Sequence, residues 1–324
     1  MARIPASVAA VRAAVRRVLP AEGLVLVACS GGADSLALAV AARFVGRAVG
    51  LVTVDHGLQE GSSRRAADVA TWARASGFDP VVVAPVQVDG RPGGPEAAAR
   101  TARYQALSSA AFAHGAVAVL VGHTRDDQAE TVLLALARGA GPRGLAGMPV
   151  RRGIFVRPLL DVARADTRKA CAALGLVPWD DPHNVDPSFA RSRVRADALP
   201  ALVTALGPAV VDNLARSASM IAADNEALDA LAEAALRAAA TSSSAPESAS
   251  ALNISEISGL PSAIRRRVLH LWARRLGAPG SALSHKHVEA LDALVVGWRG
   301  QGPVHLPGGI RAARDRGVLV RVAE

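Results

Sequence analysis

The clearest chemical signal in the sequence is one short segment, Cys29-Ser-Gly-Gly-Ala-Asp-Ser35. It follows an apolar run and opens a helical stretch, so backbone N–H groups and the positive end of the helix dipole can hold an anion there. The glycines allow close approach of a ligand, and the serines add hydroxyl donors. It matches neither G-x-x-x-x-G-K-[ST] nor G-x-G-x-x-G. We expect a nucleotide phosphate cradle made of Ser30, Gly31, Gly32, Ala33, Asp34 and Ser35.

Asp34 is the unusual member of this segment, because a carboxylate repels phosphate. Mg²⁺ resolves the conflict, since it binds carboxylate and phosphate oxygens together. The same residues are also typical of an ordinary helix start with an acid in its first turn. The segment as a whole favours nucleotide binding, with Asp34 as the Mg²⁺ ligand.

Further polar residues follow two other apolar runs. Asp55 and His56 come after the second run, and Gly122 and His123 after the fourth. The carboxyl ends of strands in a doubly wound sheet are where ligands bind, so we expect all four residues near the nucleotide.

Two carboxylates, Asp127 and Glu130, lie three positions apart at a predicted helix start and share one face. They can bind an ammonium group, bind Mg²⁺ or accept a proton from an attacking amine. The other interpretation is the usual enrichment of acids in a first helical turn.

The elements around these residues alternate. Apolar runs at 24–28, 49–54, 81–84 and 117–121 predict buried strands, with a fifth strand at 154–160. Helices are predicted between them and at 163–175, and a first helix is predicted from valines spaced along residues 8–18. This pattern predicts an α/β fold, a doubly wound parallel sheet with helices on both faces.

The pattern changes after about residue 205. A long Ala-rich helix, a Ser-rich linker at 241–250, helices near 260–276 and 284–297, and a strand–Gly-Gly–strand ending predict a smaller, mainly helical domain. We expect a catalytic domain at 1–204 and a substrate-binding domain at 205–324.

The composition is compatible with nucleic acid or another acidic substrate. The net charge is +9, and only Lys169 and Lys286 are lysines. Arginine binds phosphate with a planar fork. A GC-rich genome, which favours Arg codons, would give the same preference for arginine over lysine. No apolar run reaches the roughly 18 residues needed to span a bilayer. The two separated cysteines form no C-x-x-C pair and favour a reducing cytoplasm.

Three groups of arginines are candidate RNA contacts, with solvated helix faces as the alternative. The candidates are Arg100, Arg103, Arg191, Arg193, Arg195, Arg265, Arg266 and Arg267.

Six segments resemble the lysidine synthetase family of PP-loop ATP pyrophosphatases. Ser30–Ser35 resembles the PP-loop, and Val54–Gln59 the family's VDHGLR, with Gln59 in place of Arg. Three more are Glu96–Tyr104, which resembles E-x-x-A-R-x-x-R-Y; Gly122–Thr131, which resembles GHxxDDQxET; and Arg138–Met148, which resembles R-G-x-G-x-x-G-L-x-G-M. Residues 181–195 resemble D-x-S-N-x-D-x-x-x-x-R-N-R-I-R, with His183 and Ser192 departing from that pattern.

The resemblance implies an enzyme that uses ATP and Mg²⁺ to adenylate the wobble cytosine of an isoleucine tRNA with a CAU anticodon. Free lysine then displaces AMP to form lysidine, after pyrophosphate has left. It implies catalytic roles for Asp34, Asp127 and Glu130, with the last two recognising lysine, and tRNA contacts in the second domain.

Three other functions are compatible with parts of the pattern. A PP-loop tRNA thiolase would need cysteine pairs, and the chain has only two separated cysteines. A small-molecule amidating ligase would not need the basic second domain. A non-catalytic RNA binder would not need Asp34, Asp127 and Glu130.

Overall fold

The computed structural model describes residues 4–46, 48–55, 57, 61–86, 95–181, 186–241 and 251–322, with the backbone alone at 95–97 and 241. The chain divides into two compact units, Met1–Ala222 and Ala223–Glu324. The division falls within one long helix.

The first unit contains a six-stranded sheet in the order β3-β2-β1-β4-β6-β5. The strands are β1 Val25–Ala28, β2 Val49–Asp55, β3 Val81–Pro85, β4 Ala118–Val121, β5 Arg151–Arg152 and β6 Phe155–Val156. Neighbouring strands from β3 to β6 run parallel, and β5 is antiparallel to β6. The predicted doubly wound α/β class is confirmed.

The fifth predicted strand differs from the structure. It was expected over 154–160, but β6 ends at Val156 and forms a hairpin with β5. Pro158 has no N–H to donate to a ladder, and the Arg157 N–H donates to the Val150 carbonyl instead, at 2.8 Å. The sheet therefore ends in a short antiparallel edge.

Helices cover both faces of this sheet because the strand residues alternate. Val25 and Val27 of β1 pack into a core with helices α1, α2 and α7, whereas Leu26 packs into a second core with α4. The helices are α1 Ala6–Val18, α2 Ala33–Val45, α3 Ser62–Ala75, α4 Pro95–Ala113, α5 Arg125–Ala137, α6 Pro142–Leu145, α7 Arg164–Ala173, α8 Ala190–Arg193, α9 Leu199–Leu206 and α10 Val210–Thr241. A π-helical turn, Val194–Ala198, joins α8 to α9.

The second unit packs helices against an antiparallel four-stranded sheet in the order β7-β10-β9-β8. Its strands are β7 Leu252–Asn253, β8 Val304–Leu306, β9 Ile310–Asp315 and β10 Val318–Val322, and its helices are α11 Ile254–Ser258, α12 Ser262–Arg275 and α13 His285–Val296. The sequence patterns at 260–276 and 284–297 correspond to α12 and α13. Strand β7 was not predicted, because two residues carry no periodicity. Leu252 of β7, Trp272 and Leu291 lie in the core of this unit.

Within the described residues, no single helix has the length and apolar composition needed to cross a membrane. The segments Ala190–Leu206 and Val210–Ala240 meet the criterion only as a pair, bent by 100°.

Candidate active site

The glycine segment forms the turn between β1 and α2. Gly31 has φ +84°, a conformation that L side chains rarely adopt. The Ser35 hydroxyl accepts a hydrogen bond from the Ser30 N–H at 3.2 Å and donates one to the Gly32 carbonyl at 2.9 Å. Ser35 thus shapes the loop, and the first backbone N–H groups of α2 remain available to an anion.

The end of β4 lies directly against the start of α2. A Cβ at Gly122 would come within 3.2 Å of the Asp34 carbonyl group and the Ser35 nitrogen. Only glycine permits this approach without displacing backbone. It brings together two of the segments predicted to bind the nucleotide.

Asp34 lies at the start of α2, with a quarter of its side chain exposed. Its Oδ1 accepts a short hydrogen bond from the Thr167 hydroxyl, and its Oδ2 lies 3.8 Å from Nε of Arg164. Burial raises the pKa of Asp34 to about 6, against the effects of Thr167 and Arg164, which favour the ionised form. Of the three predicted catalytic carboxylates, Asp34 has the fewest and longest ion pairs, one at 3.8 Å, whereas Asp127 and Glu130 each contact more than one guanidinium group.

Asp127 is fixed at the start of α5 by a capping box. Its Oδ2 accepts hydrogen bonds from the N–H and hydroxyl of Thr124, at 2.8 and 2.9 Å. Its Oδ1 accepts one from Nη2 of Arg164 at 2.8 Å. Burial alone raises the pKa of Asp127, but Arg164 and Thr124 outweigh it and hold the pKa below its usual value. Asp127 is therefore ionised and oriented.

Glu130 is completely buried and surrounded by guanidinium groups. Its Oε1 accepts hydrogen bonds from Nε of Arg195 at 2.8 Å and Nη2 of Arg164 at 3.1 Å. Nε of Arg191 lies 3.3 Å from Oε2. This arrangement makes Glu130 an anchor for arginines, and a direct contact with substrate requires that one of them move.

Arg164, at the start of α7, joins all three predicted catalytic carboxylates and was not singled out from the sequence. Its backbone N–H also donates to Oδ2 of Asp126 at 2.8 Å. Arg164 and Asp127 are 37 positions apart, so no local pattern relates them. The sequence offered one signal. Arg164 lies in the first turn of a helix that follows a strand of the sheet, and Asp127 lies in the first turn of another such helix.

Arg191 and Arg195 are four positions apart in the helical segment and lie on the same side, at Glu130, whereas Arg193 does not. Nη1 of Arg193 donates to the carbonyls of Pro187 and Ser188, at 2.7 and 3.0 Å. Of the predicted tRNA contacts in this segment, Arg193 is exposed, and the other two are engaged by Glu130.

His123 follows Gly122 at the end of β4. The pKa of His123 is lowered to about 3, mainly by burial. The nearby charge of Asp127 raises this pKa, and the charges of Arg103, Arg157 and Arg100 lower it further. Its Nδ1 is buried and has no hydrogen-bond partner among the residues described. The imidazole is thus neutral, with one nitrogen left for a ligand.

Asp55 ends β2 and holds the start of α3. Its Oδ2 accepts a hydrogen bond from the Ser63 hydroxyl at 2.6 Å, and its Oδ1 accepts a short one from Ser62. ATP binding by Asp55 stays a prediction. His56, its predicted companion, lies outside the described residues.

The predicted tRNA-binding triplet in the second unit is largely engaged internally. Arg265 is 9% exposed and bonds Oδ1 of Asp292 at 2.6 Å and the Leu260 carbonyl at 2.7 Å. Arg267 bonds Asp229 and Asn225, both at 2.6 Å. We therefore interpret Arg265 and Arg267 as structural residues rather than tRNA contacts. Arg266 has 40% of its side chain exposed, and its contact with tRNA stays a prediction.

The two cysteines support the phosphate loop without offering sulfur chemistry. Both are free and buried. Cys29 Sγ donates to the Ser35 hydroxyl at 3.6 Å, and Cys171 Sγ to the Ala33 carbonyl at 3.3 Å. Burial raises the pKa of Cys171 to about 11 and also raises that of Cys29, so neither thiol ionises readily.

The architecture and the loop define the class of protein. Residues 9–202 match the PP-loop domain family, and residues 252–319 match the TilS substrate binding domain. The structure of the U34-tRNA thiolase NcsA from Methanococcus maripaludis superposes with a TM-score of 0.54 at 18% identity, covering 66% of this chain and 78% of that one. At that identity the likeness concerns the fold alone. The protein is of the PP-loop, ATP-using class.

Full-length relatives give the family within this class. The chain is 62% identical to the tRNA(Ile)-lysidine synthase of Salinispora tropica, across 99% of this chain and 98% of the relative. It is 53% identical to that of Thermobifida fusca, across 99% of both chains. The chain belongs to the tRNA(Ile)-lysidine synthase family. The resemblance drawn from the six motifs is confirmed.

Proposed function

We propose that this enzyme ligates free lysine to the wobble cytidine of an isoleucine tRNA with a CAU anticodon. ATP first adenylates the cytosine carbonyl oxygen and pyrophosphate leaves; the ε-amine of lysine then displaces AMP and lysidine forms. One observation carries the proposal beyond family membership. Asp34 of the phosphate loop and Asp127 of α5 both contact Arg164, so a nucleotide site and an amine-binding carboxylate adjoin.

The nucleotide half of the site uses backbone more than side chains. The N–H groups at the start of α2 bind phosphate and stabilise the charge that develops on departing pyrophosphate. The neutral His123 imidazole adds one hydrogen-bonding nitrogen. Neither contribution needs a charged side chain to reorganise during the reaction.

Asp127 is the residue we assign to the lysine amine. Because its pKa is held low, it is ionised and attracts the ε-ammonium group. The ε-amine attacks only in its neutral form, so the bound ammonium group first loses one proton to solvent. The nitrogen becomes more acidic as its bond to the cytosine carbon forms, and Asp127, a carboxylate of low pKa, can then accept the second proton. Glu130 acts one step further away by holding Arg164, Arg191 and Arg195 in place.

The residues present fit Mg²⁺ as a partner of nucleotide phosphates. Among the described residues, no three His, Cys, Asp or Glu side chains come together as a complete metal site. Mg²⁺ is commonly held by one or two carboxylates with phosphate oxygens and water, and the partly exposed Asp34 supplies one carboxylate. When bound, the ion neutralises charge on the phosphates.

The two cysteines bear on the cellular compartment and on the alternative functions. Two free thiols fit a reducing cytoplasm. Their raised pKa values disfavour the thiolase reaction considered from the sequence. No feature of the described site favours a small-molecule amidating ligase or a non-catalytic RNA binder.

The direct test supplies the protein with ATP, Mg²⁺, labelled lysine and unmodified isoleucine tRNA carrying CAU. We expect ATP-dependent label in tRNA, with AMP and pyrophosphate released in equal amounts. The same tRNA with uridine at the wobble position is the substrate control. A folded protein that binds ATP and this tRNA, but transfers no lysine, would overturn the proposal.

A further inference from the structure

One face of the first unit carries arginines that no described carboxylate neutralises. On this face, Leu26, Val52 and Val119 of the sheet pack against α4. Arg100 and Arg103 of α4 are exposed, and neither forms an ion pair with any residue that the structure describes. Arg164, Arg191 and Arg195 each pair with a carboxylate that the structure describes, and this difference distinguishes Arg100 and Arg103.

Tyr104 fixes the position of both guanidinium groups. They lie over its ring, with centroid distances of 5.1 Å for Arg100 and 5.7 Å for Arg103. The ring in turn packs edge-on against Phe155 of β6, at 4.7 Å. Cation–π contacts hold exposed arginines without neutralising them, so both charges stay available to an outside anion.

The β5–β6 hairpin continues this basic surface to the sheet edge. Arg152 pairs with Phe155 and Arg151 with Val156. Directly opposed residues of an antiparallel pair point to the same face, so Arg152 shares the face of Phe155 and Tyr104. Arg151 shares the face of Val156, which packs in the opposite core.

Arg157 fastens this hairpin to α4. It is 4% exposed, and its Nη1 donates to the Pro149 carbonyl at 2.9 Å and its Nη2 to the Tyr104 hydroxyl at 3.5 Å. The hairpin and α4 therefore present their charges as one surface. The influence of Arg103 and Arg100 on His123 indicates that this surface begins beside the active site.

We propose that Arg152, together with Arg100 and Arg103, forms a strip that binds successive phosphates of the tRNA backbone. We call it the α4 strip. The inference rests on the proposed function, since it names the path that the substrate takes away from the site. An arginine that is held in place and forms no ion pair with a described carboxylate suits phosphate through its planar fork.

A simpler explanation exists for charges on an edge strand, which is protection against pairing with another sheet. That explanation applies equally to Arg151 and Arg152, which are adjacent, exposed and on the same short strand. The α4 strip requires them to differ, because they point to opposite faces. Arg151 is therefore the matched control.

The experiment measures tRNA affinity of Arg152→Glu and Arg151→Glu in the full chain, by equilibrium binding across a series of KCl concentrations. We expect Arg152→Glu to weaken binding about 10-fold or more at low salt and to reduce the slope of log K against log[KCl] by about 0.7–0.9, the release from one phosphate. Arg151→Glu, with the same charge change, should weaken binding less than about threefold. Arg152→Gln should act in the same direction with a smaller effect.

Two results would overturn the strip: equal losses in the two glutamate variants, or unchanged affinity in Arg152→Glu. Circular dichroism of each variant and the KM for ATP, which should not change, verify the fold. If the wild-type protein binds this tRNA but transfers no lysine, the proposed function is contradicted. The α4 strip is then still tested by comparing the salt dependence of tRNA binding in the two glutamate variants.

Discussion

Two clusters of arginine and carboxylate show how similar residues serve different purposes. The N-terminal cluster contains Asp34, Asp127, Glu130, Arg164, Arg191 and Arg195. The C-terminal cluster contains Asp229, Arg265, Arg266, Arg267 and Asp292. In the C-terminal cluster, Arg265 is also held by the backbone carbonyl of Leu260. In the N-terminal cluster, Arg164 reaches Asp34, which is part of the phosphate loop and partly exposed.

The difference lies in what each cluster leaves unsatisfied. Asp292 receives hydrogen bonds from Arg265 and Arg266 within the interior of its unit. Among the described residues, Asp34 has one long ion pair, with Arg164, and one hydrogen bond from the Thr167 hydroxyl, and burial raises its pKa. A closed cluster stabilises the fold, whereas a cluster with one undercompensated carboxylate is ready to bind a cation.

The largest effect is expected in the N-terminal cluster, for Asp127→Asn. The amide can still accept from Thr124 but cannot hold an ammonium group or take a proton, so lysine transfer should fall on the order of 10³-fold. Lysine-independent exchange of pyrophosphate into ATP in the presence of tRNA should fall much less. Equal losses in both assays would show that Asp127 serves the nucleotide step.

In the C-terminal cluster, Asp292→Ala should lower the free energy of unfolding by about 3–5 kcal/mol, since it leaves a buried guanidinium without its partner. Urea unfolding measures this loss. The double variant Arg265→Met with Asp292→Leu should recover most of it. If the single variant retained full stability but lost tRNA binding, the cluster would be functional after all.

Arg164→Gln should raise the KM for lysine about 10- to 100-fold, because Asp127 and Glu130 lose the group that orients both. The KM for ATP should change less, since the backbone N–H groups of α2 bind phosphate without Arg164. Arg168→Gln is the matched control, because Arg168 is on the same helix but pairs with exposed Asp180. A parallel rise for ATP and lysine would contradict a positioning role toward the amine.

The smallest effect is expected for the stability of Asp34→Asn, which should be more stable than the wild type at alkaline pH. Folding raises the pKa of this carboxyl from 3.8 to about 6, so the folded protein favours its protonated form. The stability that this preference contributes is lost as pH rises through 6, where the carboxyl ionises within the fold. At pH 8 the variant should therefore gain on the order of 1–3 kcal/mol over wild type. The difference should vanish near pH 4, as thermal melts across this range can establish. A destabilised variant at pH 8 would mean that the ionised form is well compensated.

The doubly wound sheet could be predicted because its strands are short apolar runs that alternate with helices. The antiparallel β5 and the two-residue β7 could not, since pairing with a neighbour, rather than their own composition, makes them strands. The same limit applies to the arginines. The pattern of Arg265–Arg267 resembles a basic surface, and only the packing of α12 shows that Arg265 is directed inward to Asp292.

The sequence by itself determined the phosphate loop, the α/β class and the family, because glycines, strand periodicity and motif spacing act over a few residues. Only the tertiary structure decided which charges are neutralised. Coulomb energies depend on distance in space and on burial, so Arg164, far from Asp127 in the chain, becomes its partner. The spacing of Arg100 and Arg103 resembles that of Arg191 and Arg195, since both pairs lie about one helical turn apart. Arg191 and Arg195 contact Glu130, whereas no described carboxylate pairs with Arg100 or Arg103.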